Sequence, residues 1–201
     1  MNEAAKIVYV VDDEPGMRKA LRRLLGAEGF EVRAFASAAE FLAAGVEANA
    51  CLVLDVSMPD LDGFALQQRL VEARNALPVI FLTGEGDIPM SVRAIKAGAV
   101  DFLTKPVNGS DLIRAIRAAL ELAVGRSAER ARYDSLTPRE CEVMAHVVAG
   151  KLNKQIAADL GTGEQNIKIH RGRVMAKMKA ESLAELVRVA ERIGVGPMAG
   201  V

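Results

Sequence analysis

Five short apolar, β-branched runs alternating with helical patterns constrain this chain more than any other feature. The runs lie at residues 7–11 (IVYVV), 31–35 (EVRAF), 51–54 (CLVL), 79–82 (VIFL) and 100–103 (VDFL). Apolar residues at helical spacing fill the intervals at about 15–28, 38–44, 63–74, 88–97 and 109–122. Near-continuous apolar strands need cover on both faces. Repeated strand–helix units therefore predict an α/β fold, a five-stranded parallel sheet with helices on both faces. In such sheets the ligand site lies outside the carboxyl ends of the strands, so the residues just after each strand carry most of the functional information.

Those residues form a coherent set. Asp12 and Asp13 follow the first strand, Asp55 the third, Thr83 the fourth, and Thr104-Lys105-Pro106 the fifth. Alone, Asp55 has two readings: a polar stop at the end of a buried strand, or a reactive carboxylate at the mouth of the sheet. Together, three carboxylates, a hydroxyl and an ammonium suit a hard divalent cation and a transferred phosphoryl group. Mg²⁺ takes oxygen ligands, commonly one or two carboxylates with waters and phosphate oxygens. A carboxylate can also attack phosphorus to form an acyl phosphate, a transfer governed by positioning and charge neutralisation. Neighbouring polar residues have plainer readings. Asp62-Gly63 is a cap and turn, Asp60 is solvated, and Glu14 is an alternative to one member of the acidic pair.

Composition bounds the class. With 201 residues, 51% hydrophobic and 26% charged, the chain suits one large or two small soluble domains. The apolar runs are too short to span a membrane, and the opening residues lack the pattern of a signal peptide. Cys51 and Cys141 have no metal-like spacing and read as small buried hydrophobes in a reducing cytoplasm. Net charge is zero, yet residues 1–125 carry 13 basic and 17 acidic side chains, and residues 126–201 carry 13 and 9. An acidic part followed by a basic part predicts modules with different partners, the second a nucleic acid. Residues 1–122 read as the acidic module, 123–134 as a polar linker able to continue the preceding helix, and 135–201 as an all-α module.

In the basic module, Thr137, Pro138 and Glu140 form a capping box with proline at the first helical position, opening a helix to about Ala149 that Gly150 closes. Asn153 is expected to cap a short helix over 154–160, with Ile156, Ala157 and Leu160 inward. Residues 162–165 (TGEQ) read as a second capping box, opening a helix to about Lys179, and a last helix covers about 182–193. Two short helices joined by a glycine-containing turn read as helix-turn-helix. On the 165–178 helix, Ile167, Val174 and Met178 share one stripe and belong in the core. Gln165, Lys168, Ile169, Gly172 and Ala176 lie opposite, flanked by Arg173. Glutamine for base edges, isoleucine for a thymine methyl and glycine for close approach suit a DNA groove. Lys168, Arg171, Arg173, Lys177 and Lys179 suit phosphates, although Arg171 sits near the core edge of the wheel and reads also as an ion-pair partner.

The ordered motifs VVDDE, LDVSMPDLDG, FLTGEGD and DFLTKP resemble a bacterial response-regulator receiver domain over residues 6–122. The resemblance implies Asp55 as phosphoacceptor, with Asp12, Asp13, Asp55 and the backbone carbonyl of Ser57 holding Mg²⁺. It implies Thr83 as the switch hydroxyl, Lys105 as the phosphoryl-contacting cation, and a cis peptide before Pro106. Phe102 matches the switch-aromatic position and reads equally as core filler.

LTPRECEVM and GKLNKQIAADLGTGEQNIKIHRGRVMAKM resemble the LuxR-type helix-turn-helix over about 133–195, so the whole chain is similar to the FixJ-like branch of response regulators. This implies DNA contacts from Lys154, Gln165, Asn166, Lys168, Ile169, Gly172 and Arg173. Gly163 and Asn166 stand where the family commonly has Ser and Thr. His170 reads as structural, and Met144, Met175 and Met178 as core fillers.

An enzyme is not expected. Haloacid-dehalogenase-like phosphatases need Asp-x-Asp after one strand, whereas here the first pair is adjacent and position 57 is Ser. No phosphate-binding G-x-x-x-x-G-K-[ST] loop occurs. Both histidines, His146 and His170, lie outside the acidic module, so a phosphohistidine donor must come from another protein. The expected function is a cytoplasmic regulator, phosphorylated by a sensor histidine kinase and then binding promoter DNA as a homodimer. The alternative is a phosphorylation-switched protein-interaction module without direct DNA binding.

Overall fold

The computed structural model describes residues 6–47, 49–73, 75–84 and 88–196. It contains two compact units, Met1–Gly125 and Arg126–Val201. Residues 1–5, Arg74 at the end of the expected 63–74 helix, and Glu85–Asp87 of the FLTGEGD motif lie outside the described residues, as do residues 197–201.

The first unit is a five-stranded sheet of β1 (Ile7–Val11), β2 (Glu31–Phe35), β3 (Ala50–Asp55), β4 (Val79–Thr83) and β5 (Asp101–Thr104) in the order β2-β1-β3-β4-β5. Every strand pair is parallel. All residues of β1, β3 and β4 are buried, which explains their unbroken apolar character. The edge strands β2 and β5 are only half-buried.

Alternate residues of each strand feed opposite cores. Val8, Val10, Cys51, Val53, Ile80 and Leu82 pack with Leu21 and Leu25 of α1 (Pro15–Ala27) and with Leu112 and Ile116 of α5 (Gly109–Asp134). Tyr9, Leu52, Leu54 and Phe81 pack on the other face with α2 (Ala38–Ala44), α3 (Gly63–Glu72) and α4 (Ile88–Lys96) through Phe41, Leu66, Leu70 and Ala94. Cys51 is fully buried, and desolvation pushes its thiol up to about 12; both cysteines are free thiols.

Three strands differ slightly from expectation. β3 begins at Ala50 and runs on to include Asp55, which pairs with Leu82, β4 runs on to include Thr83, and β5 spans Asp101–Thr104. The helix from Gly109 continues through the expected linker to Asp134, the continuation that the reading of residues 123–134 had left open. No proline interrupts it, the Arg130–Asp134 ion pair supports its last turn at i,i+4, and its apolar stripe ends at Ala123. Loss of that stripe is what made residues 123–134 read as linker.

The second unit packs α6 (Pro138–Val148), α7 (Asn153–Asp159), α8 (Glu164–Met178) and α9 (Leu183–Arg192) around Val143, Met144, Ile156, Ile167, Val174, Met178, Leu186 and Val189. The Thr137–Glu140 capping box is formed. Two other expected caps are not. Asn153 is the first helical residue of α7, and its side chain instead accepts from Arg171 Nη1 at 3.2 Å. Gly163 occupies the N-cap of α8 and has no side chain to cap it, and the hydroxyl of the preceding Thr162 accepts from Asn166 Nδ2 at 3.2 Å. No helix among the described residues is long and apolar enough to cross a membrane.

Candidate functional site

The strand order puts β1, β3, β4 and β5 side by side, so the residues at their carboxyl ends meet along one edge. Asp12 and Asp55 are 1% and 3% exposed, and Thr83 is 1% exposed. Two buried carboxylates need a counter-charge, and Lys105 supplies it. Its Nζ donates to Asp12 Oδ2 at 2.9 Å and to Asp55 Oδ2 at 3.0 Å, with Glu14 Oε1 at 3.7 Å. The Lys105-Pro106 peptide is cis, and the Lys105 backbone N–H donates to the Thr83 carbonyl.

Burial raises the Asp55 carboxyl above its ordinary value, with Lys105 opposing the shift. For Lys105, burial works against the charge, but the hydrogen bonds to Asp12 and Asp55 outweigh it and hold the ammonium above its ordinary value. Asp13 is exposed, and one oxygen each of Asp12, Asp13 and Asp55 lie within 4.8 Å of one another. Three hard oxygen donors on a shared focus, one of them open to solvent, suit a divalent cation such as Mg²⁺. Glu14 offers its backbone N–H to Asp12 Oδ1 at 2.8 Å, which orients that carboxylate. Ser57 is exposed, and its backbone N–H donates to Asp55 Oδ1 at 3.3 Å.

Asp62 caps α3 by accepting from Ala65 N at 2.7 Å, as its sequence position suggested. Gly63 does more than turn the chain. A Cβ there would run into the carbonyl oxygen of Asp55 and crowd Phe81 and Val56. The missing side chain lets α3 sit against the end of β3, a requirement that no periodicity or spacing reveals. Behind this contact Phe64, Phe81 and Phe102 pack in sequence with their rings tilted, centroids 4.8 and 6.4 Å apart. Arg93 of α4 lies 4.6 Å over the Phe64 ring. Phe102 is half-buried against the core, so packing and a position facing α4 coexist in one residue.

In the second unit, α8 sorts its faces as expected. Ile167, Val174 and Met178 are fully buried, while Gln165, Asn166, Lys168, Ile169, Gly172, Arg173 and Ala176 are exposed, as is Lys154 on α7. Lys177, expected to face phosphates, is engaged within the protein, as is Arg171, which the helical wheel places near the core edge. Lys177 Nζ pairs with Glu140 Oε2 at 2.6 Å, and Arg171 binds Asn153. The Lys177 partner and the Thr137 backbone hold the Glu140 carboxyl down to about 2. Sequence reading also missed Arg139, whose Nη2 donates to the Leu160 carbonyl at 2.7 Å and ties α6 to the end of α7. A lone arginine in a capped first turn carries no signal of that contact.

The family model described as response regulator receiver domain matches residues 8–117, and that of the bacterial regulatory proteins of the luxR family matches 134–190. The chain is 45% identical over 201 residues to the response regulator protein TmoT of Ectopseudomonas mendocina, covering 96% of this chain and 91% of the relative. It is 44% identical to the transcriptional regulatory protein FixJ of Rhizobium meliloti (strain 1021), covering 94% and 97%. Full-length FixJ from B. japonicum is structurally similar, with a TM-score of 0.56 and 41% identity over 94% of this chain and 97% of that one. Geometry at the sheet edge and matches spanning both units agree, and the chain belongs to the response-regulator family that joins a receiver domain to a LuxR-family DNA-binding domain.

Proposed function

We propose that this regulator is phosphorylated on Asp55 by a sensor histidine kinase and then controls transcription by binding promoter DNA as a homodimer in the cytoplasm. The observation that carries the reading is the pairing of buried Asp12 and Asp55 through Lys105, beside buried Thr83, at one strand edge. Asp12, Asp13, Asp55 and the Ser57 carbonyl would hold Mg²⁺, which when bound neutralises charge on the phosphoryl oxygens.

The chain's own groups account for the rest. The Asp55 carboxylate attacks the phosphorus of a phosphohistidine; an O–P bond forms, the P–N bond breaks, and its electron pair stays on the imidazole. Lys105, drawn from its carboxylate partners, faces the incoming negative charge, and the Thr83 hydroxyl donates to a phosphoryl oxygen. Phe102 and Pro106 transmit the change toward β5 and α4. In the second unit Lys154, Gln165, Asn166, Lys168, Ile169, Gly172 and Arg173 face the duplex, supported by their exposure on α7 and α8.

A coupled binding assay tests this. Acetyl phosphate with Mg²⁺ strengthens binding of wild type to promoter-containing genomic fragments, and that binding weakens steeply with salt. In Asp55→Asn the phosphodonor has no effect. Salt-insensitive binding, or an equal response in the variant, contradicts the reading.

A further inference from the structure

The carboxylates of Asp12 and Asp13 share a focus that strand geometry alone does not give them. Successive side chains of an extended strand point to opposite faces. In β1, Val8 and Val10 feed one core, and Tyr9 and Val11 the other. Continued in that geometry, Asp12 and Asp13 would point apart. Yet one oxygen each of Asp12, Asp13 and Asp55 lie within 4.8 Å of one another, because the chain bends at Asp13. The peptide joining the two aspartates carries the Asp12 carbonyl, and that carbonyl accepts from Arg18 Nη1 at 2.6 Å. A charged donor at so short a distance makes a strong hydrogen bond. Arg18 stands on α1, which Leu21 and Leu25 already anchor in the core, so the helix does not need this bond to stay in place. The Glu14 backbone N–H orients the Asp12 side chain directly. The exposed Asp13 side chain has no such partner among the described residues, so the peptide before it sets its direction.

We propose that Arg18 is a positioning residue for the metal site. By clamping the Asp12 carbonyl it holds the Asp12–Asp13 peptide in the orientation that brings both carboxylates to one focus. The inference rests on the reading of Asp12 and Asp13 as Mg²⁺ ligands and adds the residue that sets their geometry. The sign of the effect on Mg²⁺ distinguishes a clamp from a plain charge. A guanidinium close to a cation site repels the cation, so losing its charge alone would tighten Mg²⁺ binding. Losing a group that orients metal ligands weakens binding instead.

The test is calorimetric titration of Mg²⁺ into the full chain with no phosphodonor present. Arg18→Met raises the Kd about tenfold, and Arg18→Lys, which keeps a charged donor, recovers most of that loss. Arg18→Gln is neutral and too short to reach the carbonyl, and it repeats the Arg18→Met result, so the outcome does not hang on one variant folding. Melting temperatures without Mg²⁺ show which variants fold. In heteronuclear NMR spectra the Asp13 amide, which shares the clamped peptide, shifts in the neutral variants before any Mg²⁺ is added. Mg²⁺ bound by the neutral variants as tightly as by wild type, or more tightly, overturns the clamp, as does Arg18→Lys binding no better than Arg18→Met. Wild type that binds no Mg²⁺ overturns the metal reading itself, and the clamp with it.

Discussion

Lys105 at the sheet edge is 12% exposed and bonded to two carboxylates, whereas Lys168 on α8 stands in solvent with no partner among the described residues. The same side-chain type is used in opposite ways. At the sheet edge the charges are desolvated and Lys105 offsets only part of the carboxylate charge before any ligand arrives, so a ligand there must exchange partners with the protein. On α8 the exposed Lys168 and Arg173 keep their water and counterions, and a polyanion gains by releasing them. A buried ion pair can therefore act as a switch, because its members have two alternative partners. An exposed cation acts as an attractor whose strength depends on salt.

Removing the cation at the sheet edge gives the largest expected effect. Lys105→Met leaves two buried carboxylates facing each other, and thermal or urea unfolding of the first unit should show a loss of about 3–5 kcal/mol. Mg²⁺ should restore much of it, while the same ion stabilises Lys168→Ala no more than it stabilises wild type. A Lys105→Met protein as stable as wild type would mean that the pair is not the sheet edge's charge balance.

Next in size is Gly63→Ala, which forces a methyl against the Asp55 carbonyl. A destabilisation of about 1–3 kcal/mol in urea unfolding is expected, together with slower phosphorylation because the end of β3 shifts. At Gly172, where the space is open, the corresponding alanine does not destabilise.

Glu140 is the second unit's exception, a buried carboxylate paired as at the sheet edge. Its pKa is depressed to about 2 in the folded state. The unfolded state therefore binds the proton first, and the stabilisation is fully present above the ordinary carboxylate pKa and lost as pH falls toward 2. Glu140→Gln should cost about 1 kcal/mol near neutral pH and flatten the melting temperature of the second unit between pH 5 and 2. A variant that keeps the wild-type pH profile would place that acid sensitivity elsewhere. The smallest effect is expected at Lys168→Ala, where the slope of log affinity against log salt falls by about 1; an unchanged slope would remove Lys168 from the phosphate contacts.

Sequence reading reached what periodicity and strand ends encode. β1, β3 and β4 announced themselves by apolar runs, because both of their faces are buried. Parallel topology then placed Asp12, Asp55, Thr83 and Lys105 on one edge without further information. What stayed hidden depends on distances between elements. The clash that forbids a side chain at Gly63 is set by where α3 meets β3, and the Arg93–Phe64 contact joins α4 to α3. Caps were read from residue types alone, so Asn153 and Thr162 were assigned to backbone N–H groups while Arg171 and Asn166 compete for the same oxygens. Lys177 looked available for DNA because nothing in the chain says that Glu140, thirty-seven positions earlier, is buried beside it.

The most direct measurement is the intact mass of the full chain after incubation with acetyl phosphate and Mg²⁺, followed by hydroxylamine treatment. Wild type should gain one hydroxylamine-labile phosphoryl group, Lys168→Ala should gain the same, and Asp55→Asn should gain none. Hydroxylamine-labile phosphate retained on Asp55→Asn would contradict the account.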